Sequence, residues 1–404
     1  MAFERLEKYR EIIWNDQACG VCQRGPWNPY RPFGPTSDRL CPEYEKFRTI
    51  THSAQGRIQA ARWLLEGKLP VSDDFVKVTY DCLLCGACST VGCVVDQAHV
   101  PMFRDLRADL VAMGKGPIEP FRKTGSLIRR EGNRFGRPKE ERAKWAEGMD
   151  ISPKADLVYF AGCVASYRAP EVARSTATVL IRAGVPFAIL GAEEWCCGQP
   201  LLSSGQVEAF ASVAEHNVRA FRNAGARRVV TACGCCYHTL KFDYPPITGD
   251  TGFEVLHITQ ILADLIGNGG LRPKQSFDHR VAYQDPCHLA RLGSRITAEP
   301  RAILKSVPGI ELVEMEGNGK DTQCCGRFPV ELPDLSLYTG INRIRDARAA
   351  GADTLVTACS FCHWNLTRAG GNVKESLKVM DITQILAHSL GCGPELPPLE
   401  ERRR

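Results

Sequence analysis

Ten cysteines in the later part of the chain fall into two copies of one pattern. The first copy carries Cys163, the adjacent pair Cys196-Cys197 followed by Gly198, and Cys233-x-x-Cys236. The second carries Cys287, Cys324-Cys325-Gly326 and Cys359-x-x-Cys362. Corresponding cysteines lie 124, 128 and 126 residues apart. The flanks repeat as well: ValValThrAlaCys at 229–233 matches LeuValThrAlaCys at 355–359, and IleThrGlnIleLeuAla at 258–263 recurs at 382–387. Five sulfur donors per copy is one more than the four of a tetrahedral structural zinc site, whose ligands usually sit in two close knuckles. Adjacent cysteines are also poor disulfide partners, because neighbouring Cα atoms about 3.8 Å apart fall short of the usual disulfide span. They suit two metals of one cluster, or a thiolate bridging them. Soft thiolates select iron–sulfur clusters, zinc or Cu(I). An iron–sulfur cluster is the expectation for each copy, with zinc or inert core cysteines as the rivals.

A different arrangement occupies the first 93 residues. Cys82-x-x-Cys85-x-x-Cys88 is three quarters of the ferredoxin cluster run, in which a remote cysteine, often followed by Pro, completes the other cluster. Cys41-Pro42 fits that remote role. Cys19-x-x-Cys22 then opens a sister site with Cys93 as its remote ligand. Gly25 stands where a third cysteine is expected after Cys22, and an eighteen-residue Pro- and aromatic-rich insert separates Cys22 from Cys41. Seven cysteines cannot supply four thiolates to each of two clusters. One cubane is expected, and a second would need a non-Cys ligand or a three-thiolate site.

These donors must be positioned by alternating strands and helices. AspLeuValTyrPhe (156–160) is a short apolar strand running into Cys163, followed by a helical stretch at about 170–183 and a strand at 185–190. Residues 206–222 have helical periodicity, and 228–232 is a buried strand type that delivers Cys233. The second copy repeats this with strands near 280–284, 311–315 and 354–358. Strands alternating with helices imply one parallel sheet per copy, with cysteines just beyond the carboxyl ends of strands. At 404 residues, 44% hydrophobic and 24% charged, the chain has room for two or three cores and is neither disordered nor fibrous. Nineteen cysteines are distributed as seven in 1–93, none in 94–162, eleven in 163–362 and Cys392 alone. The expected division is therefore 1–115, a basic linker at 116–152, two repeats at 153–270 and 271–391, and a loose tail at 392–404. Between Arg122 and Lys144 lie nine Lys or Arg against three Glu, read as a solvated face or a docking edge for an acidic partner. A net charge of +5 makes no case for nucleic acid. No apolar run of membrane-spanning length and no signal-like start are present, so a cytoplasmic protein is expected.

The duplicated motif over roughly 156–391 resembles the CCG-domain pair of heterodisulfide reductase catalytic subunits. Related pairs occur in the iron–sulfur subunits of glycolate oxidase and anaerobic glycerol-3-phosphate dehydrogenase. Residues 55–67, between the two N-terminal motifs, resemble the same place in their ferredoxin-like part. The resemblance implies α/β duplicated CCG domains, parallel sheets with flanking helices, preceded by a mainly α-helical ferredoxin-like iron–sulfur domain. It implies two non-cubane [4Fe–4S] clusters, one held by Cys163, Cys196, Cys197, Cys233 and Cys236, the other by Cys287, Cys324, Cys325, Cys359 and Cys362. One or two [4Fe–4S] cubanes would be held by Cys19, Cys22, Cys41, Cys82, Cys85, Cys88 and Cys93. This chain departs from the family in the residues after each CCG, Gln199-Pro200 and Arg327-Phe328-Pro329, where glycines are common.

The activity so implied is electron transfer within a multisubunit oxidoreductase, from cubanes to CCG-bound clusters and onward to a disulfide. The alternative is a relay from a flavin-dependent 2-hydroxy acid or glycerol-3-phosphate dehydrogenase; a third reading is a non-redox zinc scaffold. No glycine-rich dinucleotide fingerprint occurs, so flavoprotein or other electron-transfer subunits are the expected partners. His288 is a candidate proton donor to a leaving thiolate, with a packed or hydrogen-bonding ring as the plainer reading, shared by His238 and His363. Arg327 is a candidate for a substrate carboxylate, or for an ion pair within the fold. Cys235 and Cys392 fall outside the ligand pattern and read as ordinary cysteines.

Overall fold

The computed structural model describes residues 3–24, 40–90, 93, 97–373 and 377–393. Most of the insert between Cys22 and Cys41, and the expected loose tail beyond Gly393, lie outside the described residues.

Each repeat builds one parallel sheet. The first holds β1 (Leu157–Tyr159), β2 (Arg228–Thr231) and β3 (Glu254–His257) in the order β1-β2-β3. The second holds β4 (His279–Gln284), β5 (Ile310–Val313), β6 (Thr354–Thr357) and β7 (Lys378–Asp381) in the order β5-β4-β6-β7. Every pairing is parallel, which requires helical crossovers and burial on both faces. Leu157, Val158, Tyr159, Val229, Val230, Leu355 and Val356 are accordingly buried.

Two strands escaped the sequence reading, and the repeated IleThrGln marks both. β3 and β7 end at His257 and Asp381, which cap the helices Ile258–Gly267 and Ile382–Ser389. The side chains of Gln260 and Gln384 accept from the backbone N–H of those caps at 3.0 and 2.8 Å, a capping box at a strand-to-helix turn. One expected strand is reduced. Of 185–190, only Ala188 bridges to Val158, because Pro186 has no N–H to donate to a ladder. Its counterpart in the second copy has no proline and pairs over Ile310–Val313.

The N-terminal region is helical throughout its described residues, with Ala54–Leu65, Asp73–Tyr80 and His99–Ala112 as its longer members. Ser53 and Ser72 cap the first two by accepting from Gly56 N and Phe75 N. The stretch read as a linker contains the helix Glu119–Glu131 and a 3-10 segment, Lys139–Ala146, and buries Phe121, Ile128, Arg142 and Trp145. No described helix is long and apolar enough to cross a membrane.

Arg107 ties the N-terminal region to the first repeat. Fully buried, it donates to the carbonyls of Thr79, Tyr80, Cys82 and Ser203. Tyr80 Oη donates to Ser204 O at 2.8 Å. The glycine of each CCG is fixed by packing. Gly198 and Gly326 have φ of 82° and 91°, and a Cβ at Gly326 would sit 2.2 Å from Ser336 O. Gly67, also left-handed at 68°, faces open space. Gly67→Ala should therefore cost about 1–2 kcal/mol, the left-handed penalty alone. Gly326→Ala should cost clearly more, since backbone must also shift; chemical denaturation of the two variants measures the difference.

Candidate metal centres

In both copies, folding brings three loops to one end of the sheet. Cys163 lies in the helix Gly162–Tyr167 just after β1, and Cys233 caps Gly234–His238 just after β2. Cys287 opens a helical turn after β4, and Cys359 caps Ser360–Gly370 after β6. The adjacent pairs arrive on the loops before Gln199–Ser203 and Pro333–Ala349. In copy 1, hydrogen-bond contacts join Cys163 to Cys196, Cys196 to Cys197, Cys197 to Cys236 and Cys236 to Cys233. In copy 2 they join Cys287 to Cys324, Cys324 to Cys325, Cys325 to Cys362 and Cys362 to Cys359. All ten thiols are buried.

The copy 1 sulfurs surround a cavity of about 380 Å³, whose wall also includes Arg134, Gln199, Cys235, Ser360 and Phe361. Ser360 and Phe361 belong to the second repeat, so the cavity lies at the seam. Cys233 Sγ and Cys359 Sγ, one from each copy, are 3.8 Å apart.

The N-terminal cysteines divide into two further sites. Cys41, Cys82, Cys85 and Cys88 line one cavity of about 340 Å³, together with Glu43 and Arg57. Cys19, Cys22 and Cys93 line another of about 340 Å³, with Asp16, Gln97 and His99 in its wall. Cys19 is exposed and Cys93 half-buried. Asp16 and His99 are the oxygen and nitrogen donors beside this three-thiol set, and His99 Nδ1 is buried without a partner. Among the described residues, no three His, Cys, Asp or Glu close around a point sized for one ion. The thiols instead ring cavities, as ligands of a polynuclear group would.

Protonation tells the same story. Burial pushes Cys22 up to about 11 and Cys85 up to about 12, so bare thiols there hold their protons. In the adjacent pair of copy 1, contact with Cys196 pulls Cys197 down to about 6. In copy 2, contact with Cys287 holds Cys324 well below the usual thiol range while Cys325 is pushed well above it. Neighbouring sulfurs share protons that a bound cation would displace. The donor set fits iron–sulfur clusters: soft, dry, and more numerous per site than one ion uses.

Buried arginines stand against these sulfurs. Arg142 directs Nη1 and Nη2 at Cys163 Sγ, at 3.7 and 3.8 Å. Its Nε and Nη2 also donate to Glu194 at 3.0 and 2.8 Å, and Glu194 accepts from the N–H of Ala161 and Gly162. Arg134 donates to both oxygens of Glu331 at 2.8 Å. Both arginines come from the basic stretch read as a surface. Its overall charge concealed them; the signal was a pair of aromatic residues, Phe135 and Trp145, among the cations.

His288 is buried, with Nδ1 3.4 Å from Cys287 Sγ and 3.7 Å from Cys235 Sγ. Burial holds its pKa well below the usual imidazole range, leaving the ring neutral. Arg327 donates to Leu83 O and Ser203 Oγ at 3.2 and 2.8 Å. It thus braces all three regions from inside. His238 packs against His288 at 5.4 Å between ring centres. Cys235, read as ordinary, lies in the seam, whereas Cys392 stands apart with its thiol on Ala387 O.

The CCG family, described as "Cysteine-rich domain", matches residues 157–241 and 281–367. The cysteine-rich chain of the dihydromethanophenazine:CoB–CoM heterodisulfide reductase of Methanosarcina mazei is 33% identical over 386 residues, covering 92% of this chain and 93% of that one. The protein belongs to this heterodisulfide reductase family. The Methanosarcina barkeri member is 36% identical over 80% of each chain. A solved structure of a hypothetical protein from Helicobacter pylori shares the fold, with a TM-score of 0.53, 10% identity, and coverage of 84% of this chain and 68% of that one. The family's paired cysteine-rich domains coincide with the two repeats, β1 through Lys241 and β4 through the helix after β6.

Cys197→Ala or Cys325→Ala should each remove one repeat's iron and sulfide while the N-terminal sites keep theirs. Metal and acid-labile sulfide analysis of anaerobically purified variants reads this directly.

Proposed function

We propose that the chain is the iron–sulfur electron-transfer subunit of a heterodisulfide reductase-like multisubunit oxidoreductase, and that a disulfide is reduced at the seam between its repeats. Iron–sulfur clusters bound at the four sites would carry single electrons, with potentials set by charge, hydrogen bonds and burial.

The observation that carries this reading is the continuity of sulfur. Cys22 neighbours Cys88, linking the Cys19/Cys22/Cys93 site to the Cys41/Cys82/Cys85/Cys88 site. Cys85 packs in one buried cluster with Cys287 and Cys324 of copy 2, and Arg291 donates to Cys85 O at 3.0 Å. Cys359 then meets Cys233 of copy 1. The series begins at exposed Cys19, where a partner subunit can reach it, and ends at a buried cavity shared by both repeats. Cleaving a disulfide takes two electrons and leaves two thiolates, so two facing sulfur-rich sites supply one electron each. His288 offers a hydrogen bond to sulfur at that seam.

The test is incubation of the reduced protein with a small disulfide. Release of two thiols per two electrons consumed, with a new paramagnetic signal, is expected. Electron passage to a flavoprotein with no thiol released would favour the relay reading instead, and about two zinc per chain without iron would favour the scaffold.

A further inference from the structure

The two repeats match in sulfur but not in the charge around it. Copy 1 has two buried arginines near its thiols, and each is paired: Arg142 with Glu194 and Arg134 with Glu331, both at 2.8 Å. Glu194 stands two residues before its cysteine pair. At the same position in copy 2 stands Thr322, whose carbonyl accepts from Arg291 Nη1 at 2.7 Å. The other acceptors of Arg291 are Cys85 O and Lys320 O. Arg327 donates only to Leu83 O and Ser203 Oγ. Every one of these acceptors is uncharged. Among the described residues neither arginine has a carboxylate partner, and Arg291 Nη2 and Arg327 Nε are buried without any. Both side chains are buried next to Cys287 and Cys324.

A buried cation favours an added electron nearby, and a carboxylate bonded to that cation cancels the effect; with little solvent between, neither is screened. We infer that Arg291 and Arg327 make the copy 2 site the easier of the two to reduce, so that the first electron rests there and copy 1 is reduced last. The inference rests on the reading that both repeats hold clusters. It gives the seam an order. Copy 2, which abuts the N-terminal thiols, stores one electron, and copy 1, with its arginines neutralised, is the stronger reductant. Glu194, Arg291 and Arg327 act as positioning residues, through the charge they present to the sulfurs.

The experiment is a redox titration followed by electron paramagnetic resonance on the full-length, iron-loaded protein and on Glu194→Gln, Arg291→Gln and Arg327→Gln. Two transitions beyond those of the N-terminal sites are expected. Glu194→Gln should raise only the lower one. Arg291→Gln and Arg327→Gln should each lower only the higher one, changing the reduced-to-oxidised ratio at fixed potential roughly tenfold per charge. Should one arginine variant lose iron, the other carries the same reading. Coincident transitions in the unaltered protein, or a response of the higher one to Glu194→Gln, overturn the inference alone. Absence of both transitions, with iron confined to the N-terminal sites, overturns the two-cluster reading beneath it.

Discussion

A protein interior does not hold ten neighbouring sulfurs as free anions. Desolvation penalises each thiolate and each penalises the next, which is why the bare thiols alternate between ionised and protonated neighbours. The fold meets this constraint by gathering the sulfurs at strand ends, around shared cavities, and by bringing buried guanidinium groups against them. Most of the other unusual features follow from it. The basic segment at 116–152 folds inward to deliver Arg134 and Arg142, and the N-terminal helices deliver Arg57 beside Cys41, Cys82 and Cys88.

Arginine serves here for its geometry as well as its charge. Its planar fork can take several carbonyls at once, and Arg107, Arg291 and Arg327 each reach across a boundary between regions. The acceptors include the backbone of Cys82, Leu83 and Cys85, the N-terminal ligand loop itself. The same side chains that set local charge therefore also fix how far one sulfur site lies from the next.

The sulfur sites were legible because cysteine types and spacings survive any rearrangement of the surrounding chain. The grouping of Cys41 with Cys82, Cys85 and Cys88, and of Cys19 with Cys22 and Cys93, came from the offset logic of the motif, and the cavities follow it. The parallel sheets were legible from apolar runs such as 228–232. β3 and β7 were not, since four residues with mixed burial carry almost no periodicity; their signal was the capping box that follows them. The strand expected at 185–190 failed on one residue, Pro186. The arginine–carboxylate pairs were invisible for another reason: Arg142 and Glu194 are 52 residues apart, and nothing local marks either as internal.

Burial is uneven along the sulfur series. The thiols of the two repeats are enclosed, and so are Cys22, Cys41, Cys82 and Cys85, but Cys88 and Cys93 are only partly covered and Cys19 faces water. Dioxygen and chelators arrive from water, and sulfur that is accessible oxidises before sulfur that is not. Air damage should consequently begin at the amino-terminal rim and advance inward, leaving the seam between the repeats as the last part to be spoiled.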